Sequence, residues 1–133
     1  MALNWTSSLA VGVAEIDQQH QELFGAVNRL LQAAAVAKGR GEIENTVDFL
    51  GEYVVRHFAA EEQLMTKRRY PNMAAHKAEH TKFVNEFALI KARLEAEGPT
   101  THLVIVIQRR VCDWLVGHIG KTDKQLGQFL TAT

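Results

Sequence analysis

Two pairs of side chains set the chemistry this sequence can do. His57 and Glu61 stand four residues apart, as do His76 and His80, and at that spacing two side chains on a helix lie one above the other. Each pair is a clamp of metal-donor atoms, and two clamps on neighbouring helices make a metal site. The break at Tyr70-Pro71-Asn72 puts the two pairs on different helices.

The elements that must carry them are legible as apolar stripes. Asp17 reads as an N-cap, followed by a stripe at positions 20, 23, 24, 27, 30, 31 and 34, which predicts a helix over about 18–38 ended by Gly39 and Gly41. A second helix over about 42–65 places Ile43, Val47, Leu50, Val54, His57, Phe58, Glu61, Leu64 and Met65 on one face. A turn then runs to Asn72, which can cap a third helix over about 73–97 with the stripe Met73, His76, His80, Phe83, Phe87, Ile90 and Leu94. The fourth begins near Thr101, carries Leu103, Val104, Ile107, Val111, Trp114, Leu115 and His118, and should stop at Gly120. A short final helical segment with Leu126, Phe129 and Leu130 is expected after Thr122-Asp123, and an N-terminal arm with Trp5, Leu9, Val11 and Val13 should lie over the core. Four helices of roughly 17–24 residues joined by short loops predict an all-α, up-down-up-down antiparallel four-helix bundle.

That topology brings the start of the first helix, the end of the second, the start of the third and the end of the fourth to one end. His20, His57 with Glu61, His76 with His80, and His118 therefore converge. A lone inward histidine is usually a hydrogen-bonded core residue, but five converging with carboxylates point to a ligand set. With Glu61 and Asp123 there are seven candidate ligands. If each carboxylate and one hydroxide bridges two octahedral irons, three positions on each iron are filled. Five histidines then divide three and two, leaving one open position. The charge count, +4 from two ferrous ions, −2 from the carboxylates and −1 from hydroxide, leaves +1. So few anions favour ferrous iron at rest and reversible oxygen binding over substrate oxidation. On spacing alone, Asp123 could equally be a helix cap.

Composition sets the limits. The 133 residues, 47% hydrophobic and 23% charged, read as one helical domain with a sizeable core. Fifteen basic residues balance fifteen acidic ones, which leaves no basic field for nucleic acid or anionic membranes. The apolar runs are too short to cross a bilayer. The opening residues lack a secretory pattern, and the single Cys112 cannot form an internal disulfide. A cytoplasmic protein, monomeric and inserted in no membrane, is expected.

The residues Gly12-Val13, Ile16-Asp17-Gln18-Gln19-His20, His57-Phe58 with Glu61-Glu62, His76-x-x-x-His80, and Trp114-Leu115-x-x-His118-Ile119 followed by Asp123 resemble the hemerythrins, and specifically the single-domain bacteriohemerythrins. The resemblance covers essentially the whole chain, as one hemerythrin-like domain over 1–133. It implies a bundle holding a non-heme di-iron centre, two iron ions (Fe2+/Fe3+) with a bridging hydroxide or oxide, that binds O2 reversibly. It further implies that His76, His80 and His118 serve the complete iron, His20 and His57 the open one, and that Glu61 and Asp123 bridge them. Leu115, one turn before His118, takes a pocket role by the same resemblance. Trp114, Phe24 and Phe58 are pocket candidates for which ordinary core packing is an equal reading.

Oxygen carriage, storage or delivery, without enzymatic activity, is the function expected. Nitric oxide and other small anions are further candidates for the open iron. The alternatives are a sensor of oxygen, nitric oxide or redox state, a di-iron oxidase or peroxidase, and a metal-free bundle. Glu62 lies about 140° from His57 around the helix, against about 40° for Glu61, and is read as solvated or as supporting a ligand. His102 is read as a surface histidine and Cys112 as packing.

Overall fold

A computed structural model describes residues 3–35, 40–98 and 100–132. Three long helices, α1 (Ala14–Ala35), α2 (Arg40–Arg68) and α3 (Met73–Glu97), are followed by a fourth helical rod over 101–131. The rod comprises α4 (Thr101–Ile107), a π-helical turn at Gln108–Cys112, α5 (Asp113–Gly117), a second π turn at His118–Asp123, and α6 (Lys124–Thr131). Successive rods pack on one another as an antiparallel bundle. Among the described residues there is no strand, and no helix is long and apolar enough to cross a membrane.

The predicted stripes are the buried faces. Leu23, Phe24, Val27 and Leu30 of α1 meet Ile43, Val47, Leu50, Val54 and Phe58 of α2, Phe83, Phe87, Ile90 and Leu94 of α3, and Leu103, Ile107, Val111, Cys112, Leu115 and Ile119 of the fourth rod in one apolar cluster. A smaller cluster of Val11, Ile16, Met65, Tyr70 and Leu126 gathers where α1 and α3 begin and α2 ends. The arm lies over the bundle as expected, with Leu3, Trp5 and Leu9 against the main cluster. Leu3 is held by paired backbone bonds to the Asn28 amide at 2.7 and 2.8 Å.

Several boundaries differ from expectation for identifiable reasons. Helix α1 starts at Ala14, so Asp17 lies inside it; its carboxylate accepts from the Val11 and Gly12 N–H groups at 2.8 and 3.3 Å, tying down the arm rather than capping the helix. Gly39 lies outside the described residues, and Gly41 falls within α2 rather than ending α1. Helix α2 runs to Arg68 and ends in a Schellman turn. The Arg69 and Tyr70 N–H groups bond to the carbonyls of Thr66 at 3.3 Å and Met65 at 2.9 Å, Arg69 takes φ 56, and Tyr70 folds back on Met65. Asn72 occupies the N-cap position of α3 without a side-chain cap bond. Gly120 does not stop the fourth helix, because the wider π turn absorbs it and the rod continues into α6.

Candidate metal centre

His20 sits in the second turn of α1, His57 and Glu61 late in α2, and His76 and His80 in the opening turns of α3. His118 and Asp123 bound the second π turn of the fourth rod. All seven are at most 4% exposed. The π turn answers the question spacing left open for Asp123. In an α-helix a residue five positions on stands about 140° away, whereas a turn closed by i→i+5 bonding brings it back over its starting residue. His118 Nε2 and Asp123 Oδ1 are 3.1 Å apart. Asp123 is 1% exposed and makes no side-chain cap bond, so the capping alternative is excluded.

The donors form two groups, Glu61, His76, His80, His118 and Asp123, and His20, His57, Glu61 and Asp123, each with ligand atoms within 4.8 Å of one another. The two carboxylates belong to both groups, and each divides its oxygens between them. Glu61 Oε1 faces His76 Nε2 at 3.4 Å and His80 Nε2 at 3.1 Å, while Oε2 faces His20 Nε2 at 3.7 Å and His57 Nε2 at 3.5 Å. Asp123 Oδ1 faces His76 and His118 at 3.0 and 3.1 Å, and Oδ2 faces His20 at 3.0 Å. This is the arrangement two carboxylates need to span a pair of ions, three histidines on one side and two on the other.

The polar accounting fits a bound metal. The Nε2 atoms of His20, His76, His80 and His118 and all four carboxylate oxygens are buried without a hydrogen-bond partner among the described residues, an arrangement costly to leave uncompensated. The opposite ring nitrogens are mostly engaged. His57 Nδ1 meets Gln19 Oε1 at 2.6 Å, His80 Nδ1 meets Glu62 Oε2 at 2.9 Å, and His118 Nδ1 meets Glu79 Oε1 at 2.8 Å. Nitrogen and oxygen donors in this mixture suit iron among the transition metals.

Among the side chains themselves the cluster is strongly polarised. Burial pulls the His20 and His76 imidazoles down, but the close negative charge of Asp123 and Glu61 outweighs it and raises both to about 9. For His57 burial prevails over the Glu61 charge and lowers the imidazole to about 4. Glu61 and Asp123 lie well below the carboxylate range, because the imidazoles packed against them outweigh burial.

Aromatic rings hold the histidines in place. Phe58 stacks on His80 with centroids 3.8 Å apart and planes 4° apart, and Trp114 stacks on His118 at 4.3 Å and 12°. Phe24 and Leu115 are buried in the main cluster. Glu62 lies outside both donor groups and supports His80. His102 is exposed and Cys112 buried, its thiol pushed up to about 11 chiefly by burial. The sequence reading missed Gln19, Glu79 and Thr122. Its available signal was that a ligating imidazole needs an acceptor for its second N–H, which directs attention to polar residues flanking each histidine stripe.

Fold and site together define the class: a helical-bundle protein with a buried two-metal centre of histidines and shared carboxylates. Residues 11–130 match the family described as "Hemerythrin HHE cation binding domain". The chain is 40% identical over 131 residues to a bacteriohemerythrin of Methylococcus capsulatus, covering 98% of each. It is 35% identical to a hemerythrin-like protein of Naegleria gruberi, covering 90% of this chain and 87% of the relative. A crystal structure of wild-type hemerythrin superposes with a TM-score of 0.86 at 37% identity, over 99% of this chain and 100% of that one. This chain belongs to the hemerythrin family, whose members are O2-binding proteins with a di-iron centre.

Proposed function

We propose that this chain carries, stores or delivers O2, binding it reversibly without chemical turnover at a di-iron centre held by His20, His57, Glu61, His76, His80, His118 and Asp123. The observation that carries this reading is the division of each carboxylate between a three-histidine and a two-histidine side. Glu61 and Asp123 would bridge the irons. His76, His80 and His118 would complete one ion and His20 with His57 would leave the other a free position. The family match over 11–130 supports treating the chain as a single hemerythrin-like domain.

When bound, the iron pair supplies the electrons and the open position that reversible O2 binding requires. The protein supplies the surroundings. Phe58 and Trp114, stacked on His80 and His118, hold the planes of these rings. Leu115, 1% exposed and one turn before His118, belongs with Phe24, Phe58 and Trp114 to an apolar wall that keeps water and protons from the ligand pocket. Iron and oxygen titrations test the proposal. Two irons per chain and one O2 per iron pair, released under vacuum, are expected; consumption of O2 with irreversible oxidation of the iron would overturn it.

A further inference from the structure

The two sides of the site are backed unequally. On the three-histidine side, carboxylates accept from His80 Nδ1 (Glu62, 2.9 Å) and His118 Nδ1 (Glu79, 2.8 Å), and the Thr122 hydroxyl holds Glu79 at 3.0 and 3.1 Å. On the two-histidine side, the acceptor for His57 Nδ1 is the neutral amide oxygen of Gln19 at 2.6 Å. One imidazole on each side, His20 and His76, has no Nδ1 partner among the described residues, so the sides differ in the two carboxylates behind one and the single amide behind the other. A carboxylate polarises the imidazole N–H more strongly than an amide does. The ring it backs is a stronger donor to a metal on its other nitrogen.

We infer that this backing grades the two metal positions. The two-histidine position, supported by Gln19 alone, fills last and empties first, and Gln19 is the positioning residue that sets its retention. The inference rests on the ligand assignment proposed above. Both sides are reached from the surface, the two-histidine side by the larger cavity. A cavity of about 430 Å³ reaches His57 beside Gln19, Glu22, Tyr53 and Arg56, and another of about 270 Å³ reaches His80 beside Phe58 and Glu62. The two sides differ as well in the charge behind the rings. Gln19 is only partly buried, so a glutamate there remains solvated on its outer side.

The test is release of ferrous iron from the anaerobically reduced, iron-loaded full chain to excess ferrous chelator, followed by the colour of the complex. Two phases of equal amplitude are expected. Q19E should slow the fast phase about 10-fold or more and leave the slow phase unchanged, whereas E79Q should accelerate the slow phase by about 10-fold or more. If Q19E does not load iron, E62Q and E79Q carry the test through the slow phase alone. Single-phase release from a wild-type chain holding two irons, or substitutions that act on the opposite phase, would overturn the inference while leaving the ligand assignment standing. Fewer than two irons in the wild-type chain would instead overturn the ligand assignment itself.

Discussion

Asp123 and Leu115 are one turn of helix or so on either side of His118, and each has a role its residue type alone does not declare. Asp123 shares its oxygens between His118 and His76 on one side and His20 on the other. Asp123→Asn keeps the shape but replaces one acceptor oxygen with a donor group. Iron content is expected to fall below two per chain with the helical circular dichroism retained, and full iron content would remove Asp123 from the ligand set. Leu115→Ala should admit water and protons and accelerate autoxidation. It should also cost about 2–5 kcal/mol through the cavity it leaves in the core. Autoxidation at the wild-type rate would remove Leu115 from the pocket wall. At this scale the histidines and Glu61 were legible because period-four pairs interrupt apolar stripes. Asp123 was ambiguous because its i+5 spacing fits a ligand only in a π turn, and Glu79 and Gln19 were hidden because their histidine contacts cross between helices.

Among the elements, the stripes of α1, α2 and α3 were readable because burial follows the helical period, and α3 was placed to the residue. The ends were less readable because chain-reversal chemistry involves contacts the pattern does not encode. Proline after α2 suggested the stop, yet a Schellman turn around Arg69 at φ 56 makes it. Arg69→Gly should therefore stabilise the protein by about 1 kcal/mol, read as a raised Tm; a lowered Tm would contradict the strain at that position. Gly120 suggested an end to the fourth helix where a π turn continues it. Gly127 marks the opposite situation. A Cβ there would lie 2.0 Å from the Val11 carbonyl oxygen, where α6 meets the N-terminal arm. Gly127→Ala should push the arm off and cost about 1–3 kcal/mol, measured as a lower denaturation midpoint, and an unchanged midpoint would show the arm does not press on α6.

Across the whole molecule, balanced charge and a helical bundle are general features, and the concentration of buried titratable groups at one end is the specific one. Metal must displace protons from His20 and His76, whose folded pKa of about 9 exceeds the ordinary 6.5. Their contribution to the metal-free fold is complete below about pH 6.5 and is lost as pH rises through about 9. Proton competition with iron fades over the same interval. The Tm difference between iron-loaded and metal-free protein should therefore widen from pH 6.5 to 9, and a constant difference would contradict this linkage.

The central claim, reversible O2 binding at a paired-iron site, is tested most directly by the optical spectrum of one iron-quantified sample carried through an oxygen cycle. The anaerobically reduced protein should be nearly colourless, develop a charge-transfer band in air, and lose it when oxygen is withdrawn, with two irons per chain throughout. A sample that lacks iron, or whose air-induced spectrum persists after deoxygenation, would contradict it.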